Sequence, residues 1–133
     1  MKKTFCAALA FLPLMTMPVA VDANERLGQN DVTYVEALEC STVFTLLSTE
    51  SAGQTAADYE ELAARWLVIA MRRDGTPDGS LADAEFIPMM EDLVDVLNDV
   101  PDPAAADRFI DDMIGFCEAK EAEIAGEFYS IRV

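Results

Sequence analysis

Four stretches of the chain repeat apolar residues at intervals of three and four, the spacing that lines one face of an α-helix. They cover about residues 31–48, 56–73, 80–100 and 104–129. Glycine, proline and small polar residues separate them at 51–55, 74–79 and 101–103. No stretch of useful length alternates with the two-residue period of a β-strand. The pattern therefore predicts an all-α protein.

Four helices of this length, joined by short loops, predict a small antiparallel four-helix bundle in which the apolar faces pack together. Ser80 followed by Asp83 predicts a capping box at the start of the third helix. The residues that the spacing places in the core are Val32, Val35, Cys40, Val43, Phe44, Leu47, Tyr59, Leu62, Ala63, Trp66, Leu67, Ala70, Phe86, Met90, Leu93, Leu97, Val100, Phe109, Ile110, Met113, Ile114, Cys117, Ile124 and Phe128.

The first 23 residues have the layout of a secretory signal peptide, because Lys2 and Lys3 precede an apolar run and small residues follow it. An uncleaved anchor is the alternative, but the run is shorter than the roughly 20 residues that a membrane span needs. Pro13 and Pro18 also interrupt it. We expect residues 1–23 to be removed. Residues 24–133 then form one helical domain in the periplasm or outside the cell, with no membrane association after cleavage.

Charge and composition narrow the functions that this chain can have. It carries 25 acidic and 9 basic residues, a net charge of −16, and no histidine. Such a surface repels nucleic acid and anionic lipid. Its expected role is to keep the protein soluble, and the alternative is that it attracts cations or a basic protein partner. The absence of histidine removes the commonest general base and the commonest transition-metal ligand. A catalytic role is therefore disfavoured, and no catalytic residue is predicted.

Cys40 and Cys117 are the two cysteines outside the predicted signal peptide, and each lies on the apolar stripe of its helix. In an up-down-up-down bundle the first and last helices are antiparallel neighbours, so these positions meet. An exported protein matures in an oxidising compartment, and we expect one inter-helix disulfide between them. The alternative is a reactive redox pair, which usually has closely spaced cysteines at a helix start.

Residues 74–85 resemble the 12-residue calcium loop of the EF-hand family, in the matching helix–loop–helix context. Gly79 stands at the sharp turn of that loop, although Pro77 departs from the family's pattern. The resemblance implies calcium ligands from the side chains of Asp74, Thr76, Asp78 and Glu85 and from the backbone carbonyl of Ser80. The alternative from the residues alone is an acidic turn followed by a capped helix.

Three functions are consistent with these features. The first is a non-catalytic binding or interaction module whose acidic faces meet a protein partner. The second is a calcium-binding version of the same scaffold, which rests on residues 74–85. The third is a periplasmic acid-stress chaperone, since an early Cys, a later Trp66-Leu67 pair and a late Cys are similar in spacing to chaperones of that class. Protonation of the carboxylates at low pH would remove the negative surface of such a protein.

Overall fold

The computed structural model of the protein describes residues 32–133, which are all-α with no strand among them. The helices are α1 (Tyr34–Thr49), α2 (Gly53–Arg73), α3 (Ser80–Asp99), α4 (Pro103–Glu123) and α5 (Ala125–Ser130). The first four form the predicted antiparallel bundle, and α5 is a short addition. The predicted signal peptide at residues 1–23 and the predicted start of the domain at residue 24 lie outside the described residues, so both stay predictions.

Helices α1 and α2 form an antiparallel hairpin, and the other helices pack against it. The Ser41 hydroxyl donates to the carbonyl of Ala63 at 2.9 Å, and the ring of Phe44 stacks on Tyr59 with centroids 5.9 Å apart. Later residues of α1 therefore meet earlier residues of α2. Both Ser41 and Phe44 are buried, so this contact is part of the core.

Helix α1 begins at Tyr34, three residues after the start that the apolar pattern indicates, because Thr33 caps it. The Glu36 amide donates to Thr33 Oγ1 at 3.1 Å, and the Thr33 amide donates to Glu36 Oε1 at 3.0 Å. This is a reciprocal capping box. Helix α2 begins at Gly53, earlier than predicted, because the Ala56 amide already bonds to the carbonyl of Ala52.

The capping box predicted for α3 is wrong. Ser80 is the first helical residue, and the cap position is Gly79, which has φ of 75° and offers no side-chain acceptor. A Cβ at Gly79 would lie 2.5 Å from Cβ of Met71, so both the dihedral and the close approach of α2 require glycine there. The acceptors for the first turn are instead Asp78, whose Oδ1 receives the Ser80 amide at 3.1 Å, and Asp74, whose Oδ2 receives the Ala82 amide at 2.8 Å.

The predicted fourth helix is two helices. Ile124 has φ of −123° and ψ of 28°, so the chain leaves the α-helical region there before α5 begins. The break lets Phe128 pack on Trp66, with ring centroids 4.9 Å apart. Both rings are fully buried. Burial of the Phe128 ring against Trp66 of α2 is the physical reason for the change of direction.

The core is concentrated at one end of the bundle, which we call the closed end. This end comprises the first half of α1, the second half of α2, the start of α3, the last part of α4 and α5. The buried apolar residues of the closed end are Val32, Ala37, Leu38, Cys40, Ala63, Trp66, Ile69, Ala70, Ala82, Cys117, Ile124, Phe128 and Ile131. Val35, predicted to be buried, is 49% exposed. Val32 lies before the first residue of α1, so the interval of three from Val32 to Val35 is not a turn of helix. That interval therefore does not place Val35 on the buried face of α1.

The opposite end, which we call the open end, is much less densely packed. It comprises the second half of α1, the first half of α2, the second half of α3 and the first half of α4. Several predicted core residues lie here and are only half-buried: Leu47, Tyr59, Leu62, Met90, Leu97, Phe109, Ile110, Met113 and Ile114. The spacing correctly found the faces of these helices that point inward, but it did not reveal that they remain partly uncovered.

The predicted disulfide is present. Cys40 and Cys117 are bonded, their Cα atoms are 5.7 Å apart, and neither residue is exposed. Lys120 lies one turn further along α4 and forms an ion pair with Glu36, one turn earlier in α1. The two helices therefore run antiparallel at the bond, as the sequence predicts. The bond joins residues 77 positions apart.

Replacing both cysteines, as Cys40→Ala with Cys117→Ala, should lower the free energy of unfolding by about 4 kcal/mol, because the open chain gains conformational freedom when it unfolds. Urea unfolding followed by circular dichroism measures this difference, with the oxidised wild type as the control. An unchanged unfolding midpoint in the double variant would show that the bond does not stabilise the bundle.

Candidate functional site

An open groove lies between α3 and α4. Both helices pack against α1, but they make few contacts with each other. The space between them at the open end has a volume of about 690 Å³. The residues that line this open groove are Leu46, Leu47, Glu50, Tyr59, Val94, Leu97, Asn98, Ala106, Asp107, Ile110, Asp111 and Ile114.

A second depression, which we call the side groove, follows the outer face of α3 and has a volume of about 390 Å³. Its lining residues are Thr45, Phe86, Ile87, Met90, Glu91, Val94 and Asp95. Val94 lines both grooves, so its side chain forms a ridge between them. Ile87 is 59% exposed and Val94 is 36% exposed, so both residues present apolar surface to solvent.

Among residues 32–133, every charged residue that lines either groove is a carboxylate. Glu50, Asp107 and Asp111 line the open groove, and Glu91 and Asp95 line the side groove. All five are exposed. The sequence from residue 74 to residue 107 contains ten acidic residues and no lysine or arginine. Arg108 follows directly but does not line either groove. An apolar floor with an acidic rim is therefore the main chemical feature of the open end.

The basic residues of the described chain are mostly engaged at the closed end. Arg73 Nη2 lies 2.7 Å from Glu127 Oε1, and Arg72 Nη1 lies 3.0 Å from Glu127 Oε2. The hydrogen bond from Arg73 is the main reason that the pKa of Glu127 lies below its usual range. Partial burial acts in the opposite direction, and the hydrogen bond from Arg72 lowers the pKa further. These contacts tie the end of α2 to α5.

Arg65 holds the C-terminal segment in place. Its Nη1 donates to the carbonyls of Phe128 and Ile131 at 3.0 and 2.7 Å, and its Nη2 donates to Glu61 at 2.7 Å. The guanidinium also lies 5.6 Å from the ring centroid of Tyr129. Arginine suits this position because its planar fork has enough donors to satisfy several acceptors together.

The carboxylate of Asp74, the first residue of the EF-hand-like stretch, is occupied by local donors. Its Oδ1 accepts from the amide and the hydroxyl of Thr76 at 2.7 and 2.6 Å, while Oδ2 accepts from the Ala82 amide. Burial alone would raise the pKa of Asp74, but the hydrogen bonds from Thr76 and Ala82 outweigh it and hold the pKa below its usual range. Asp74 therefore caps α3 from a distance of eight residues.

The other predicted calcium ligands are also placed by the structure. Asp78 Oδ1 accepts from the Ser80 amide at 3.1 Å, and Glu85 accepts from the hydroxyl of Tyr34 on α1. Burial and that contact with Glu85 raise the pKa of Tyr34. Within residues 32–133, no group of three or more carboxylate or cysteine side chains has an arrangement that could hold a metal ion. Calcium binding at this loop stays a prediction.

Sequence reasoning found the disulfide and the acidic turn but missed the grooves. Two signals point toward them. Ile87 and Val94 are apolar residues of α3 that lie next to Met90 and Leu97 of the predicted stripe, so the apolar face of α3 is wider than predicted. The other signal is the long run without a basic residue. Among the described residues, no helix combines the length and the apolar character that crossing a membrane requires.

No family model matches the chain, and comparisons with curated proteins and with solved structures find no match. The grooves, the acidic rim and the disulfide-linked bundle are therefore the observations from which a function must be argued.

Asp74→Asn should lower the thermal unfolding midpoint at neutral pH. Asparagine retains one acceptor oxygen and places an NH₂ donor against either the Thr76 or the Ala82 amide. The pKa of Asp74 is lower in the folded protein than in the unfolded chain. The ionised carboxylate therefore stabilises the fold above the ordinary Asp pKa of about 3.9, and this stabilisation is lost as the pH falls through the pKa of folded Asp74. The difference between variant and wild type should therefore shrink as the pH falls below the ordinary Asp pKa and through the lower pKa of folded Asp74.

The same pair of proteins tests the calcium reading, with Glu85→Gln as a third sample. A calcium site at this loop predicts that millimolar calcium raises the midpoint of the wild type but of neither variant. A purely structural Asp74 predicts that calcium leaves all three midpoints unchanged. Calorimetric titration of the wild type with calcium checks the result independently of stability.

Proposed function

We propose that the protein is an exported, non-catalytic interaction module that binds a protein partner through the open end of its bundle. The observation that carries the proposal is the open groove, in which apolar residues of α1, α3 and α4 stay half-buried. Contiguous apolar surface with a polar rim is typical of binding sites, since leaving it in water is unfavourable unless a partner covers it.

Several features support a binding role over a catalytic one. Both described cysteines are bonded to each other and fully buried, so neither supplies a thiolate. The buried hydroxyls of Ser41 and Thr42 donate to the main-chain carbonyls of Ala63 and Glu39. The chain has no histidine to activate a nucleophile. The groove thus offers shape, apolar area and charge rather than a reacting group.

Export is supported by the disulfide together with the layout of the first 23 residues. A structural disulfide persists in oxidising compartments such as the periplasm, and it is rare where thiols are kept reduced. The proposal therefore places the protein in the periplasm or outside the cell, and its partner in the same compartment.

Photo-crosslinking in the source cells tests the binding surface. A benzoyl-phenylalanine at Val94, between the two grooves, should give a covalent adduct with a partner protein. The same group at Val35, which is exposed on α1 at the closed end, is the matched control and should give none. Adding Ile110→Glu, which places a charge on the groove floor, should remove the adduct at Val94. No adduct from Val94, or equal adducts from both positions, would contradict the proposal.

An acid-stress chaperone is the second candidate, and the pKa values of two glutamates favour it. Burial raises the pKa of Glu39, and so does the nearby charge of Glu36. Burial also raises the pKa of Glu121, with Glu118 adding to it. A glutamate whose pKa is raised by folding stabilises the folded state when it is protonated. This stabilisation is fully present below the ordinary Glu pKa of about 4.3 and is lost as the pH rises through the pKa of the group in the folded protein. These two groups therefore favour the folded state in acid, whereas Glu36, Asp74, Asp78 and Glu127 have lowered pKa values and favour it at neutral pH.

A protein with 25 acidic residues loses most of its negative charge in strong acid. The apolar floor of the open groove is unaffected by pH, and this combination suits binding of unfolded proteins. A chaperone of this kind should suppress aggregation of a denatured client at pH 2–3 but not at pH 7. Failure at pH 2–3 would remove this candidate and leave the interaction module unaffected.

A further inference from the structure

We infer that the partner segment is a basic amphipathic helix, which lies along α3 and inserts apolar side chains on both sides of Val94. This inference rests on the proposed function and specifies the chemistry of its partner. It follows from the spacing of the apolar residues of α3 that line the two grooves, from the position of Val94 in both grooves and from the charges around them.

Four apolar residues of α3 that line the grooves form a stripe with the spacing of a helix-packing surface. Ile87, Met90, Val94 and Leu97 follow one another at intervals of three, four and three, the pattern that helices use when they pack side by side. From the first to the last, the stripe is about 15 Å long at 1.5 Å per residue. An α-helix of three to four turns matches that length. Binding of an amphipathic helix in an apolar groove is a common mode of peptide recognition.

The ridge at Val94 fits the same mode. Helices pack by placing rows of side chains into the grooves between rows on their neighbour. With a groove on each side, Val94 would insert between apolar residues of the incoming helix, and those residues would fill the open groove and the side groove. Val94 is still 36% exposed, so part of its surface is available to a partner.

The charges around the grooves define the polar face of the partner. Glu91 and Asp95 lie one turn apart on α3 beside the stripe, and Asp107 and Asp111 lie one turn apart on α4 across the open groove. Lysines or arginines that flank the apolar face of a bound helix would approach carboxylates on both sides. The four basic residues that the structure shows in ion pairs, Arg65, Arg72, Arg73 and Lys120, lie at or toward the closed end.

The same charges argue against a second copy of this chain as the occupant. A second copy would place its own acidic rim against the first, and the whole chain has a net charge of −16. Repulsion between like charges at an interface disfavours such pairing. A basic helix gains from the same field, which also speeds its encounter with the groove.

Two designed 16-residue peptides provide the probes. Both have leucine at helical intervals of three and four, and the remaining positions are alanine with lysine in one peptide and alanine with glutamate in the other. Fluorescence anisotropy of labelled peptide, with the full-length mature protein at neutral pH, measures the dissociation constant. The lysine peptide should bind at least tenfold more tightly than the glutamate peptide, and added salt should weaken its binding.

Three variants separate groove binding from general attraction. Val94→Asp adds a negative charge but removes the apolar ridge, and it should raise the dissociation constant of the lysine peptide at least tenfold. Asp95→Lys should raise it at least tenfold as well. Glu118→Lys changes the net charge equally on an exposed part of α4 outside both grooves, so it should change affinity less than threefold. Circular dichroism and the intact disulfide verify that each variant is folded.

Each other result overturns the inference in a recognisable way. If the glutamate peptide binds as well as the lysine peptide and Val94→Asp weakens both, the groove binds helices of any charge, and the proposed function stands. If Val94→Asp has no effect, or Glu118→Lys matches Asp95→Lys, the attraction is not to the groove. If neither peptide binds, the basic helix is wrong, and the adduct at Val94 alone decides the proposed function. A dimer in sedimentation equilibrium that Val94→Asp dissociates identifies a second copy as the occupant.

Discussion

The bond between Cys40 and Cys117 holds α4 against the rest of the bundle, and the shape of the open end depends on it. Cys117 is the one residue of α4 that is fully buried, and α4 otherwise packs mainly on α1. The bond lies toward the C-terminal part of α4, where the ion pair between Lys120 and Glu36 supports it. The N-terminal half of α4 has no fully buried residue, and the open groove lies between it and α3.

Charge is distributed in keeping with this asymmetry. At the closed end, arginines satisfy buried or half-buried acceptors, as Arg65 does for the carbonyls of Phe128 and Ile131. At the open end the carboxylates line apolar grooves without a basic residue among the lining residues. Ion pairs at the closed end thus stabilise the fold, whereas the excess of negative charge at the open end repels other acidic molecules. An exposed apolar surface rimmed in this way resists association with its own copies.

The sequence was sufficient for the helices, the bundle and the disulfide, because each depends on a local or periodic signal. Apolar spacing found α1 to α4, and the position of Cys40 and Cys117 on inward stripes predicted their bond. The details that failed depend on tertiary contacts. Spacing alone does not reveal that Asp74 and Asp78, rather than Ser80, satisfy the first turn of α3, or that packing of Phe128 on Trp66 ends α4 at Ile124. The grooves were missed because periodicity gives the direction of a face and not how completely it is covered.

The open end has a cost in stability that the rest of the fold offsets. Half-buried side chains such as Leu97 and Ile110 contribute less than they would in a dry core, since hydrophobic stabilisation scales with the apolar area removed from water. A small domain has little stability to spare, so such exposure is sustainable when the other end is densely packed and cross-linked. Trp66, Phe128 and the disulfide supply that packing at the closed end. A bound partner would cover the apolar surface that is exposed at the open end. Because such a partner binds only the folded protein, a helix that binds more tightly should raise the free energy of unfolding of the bundle by a larger amount.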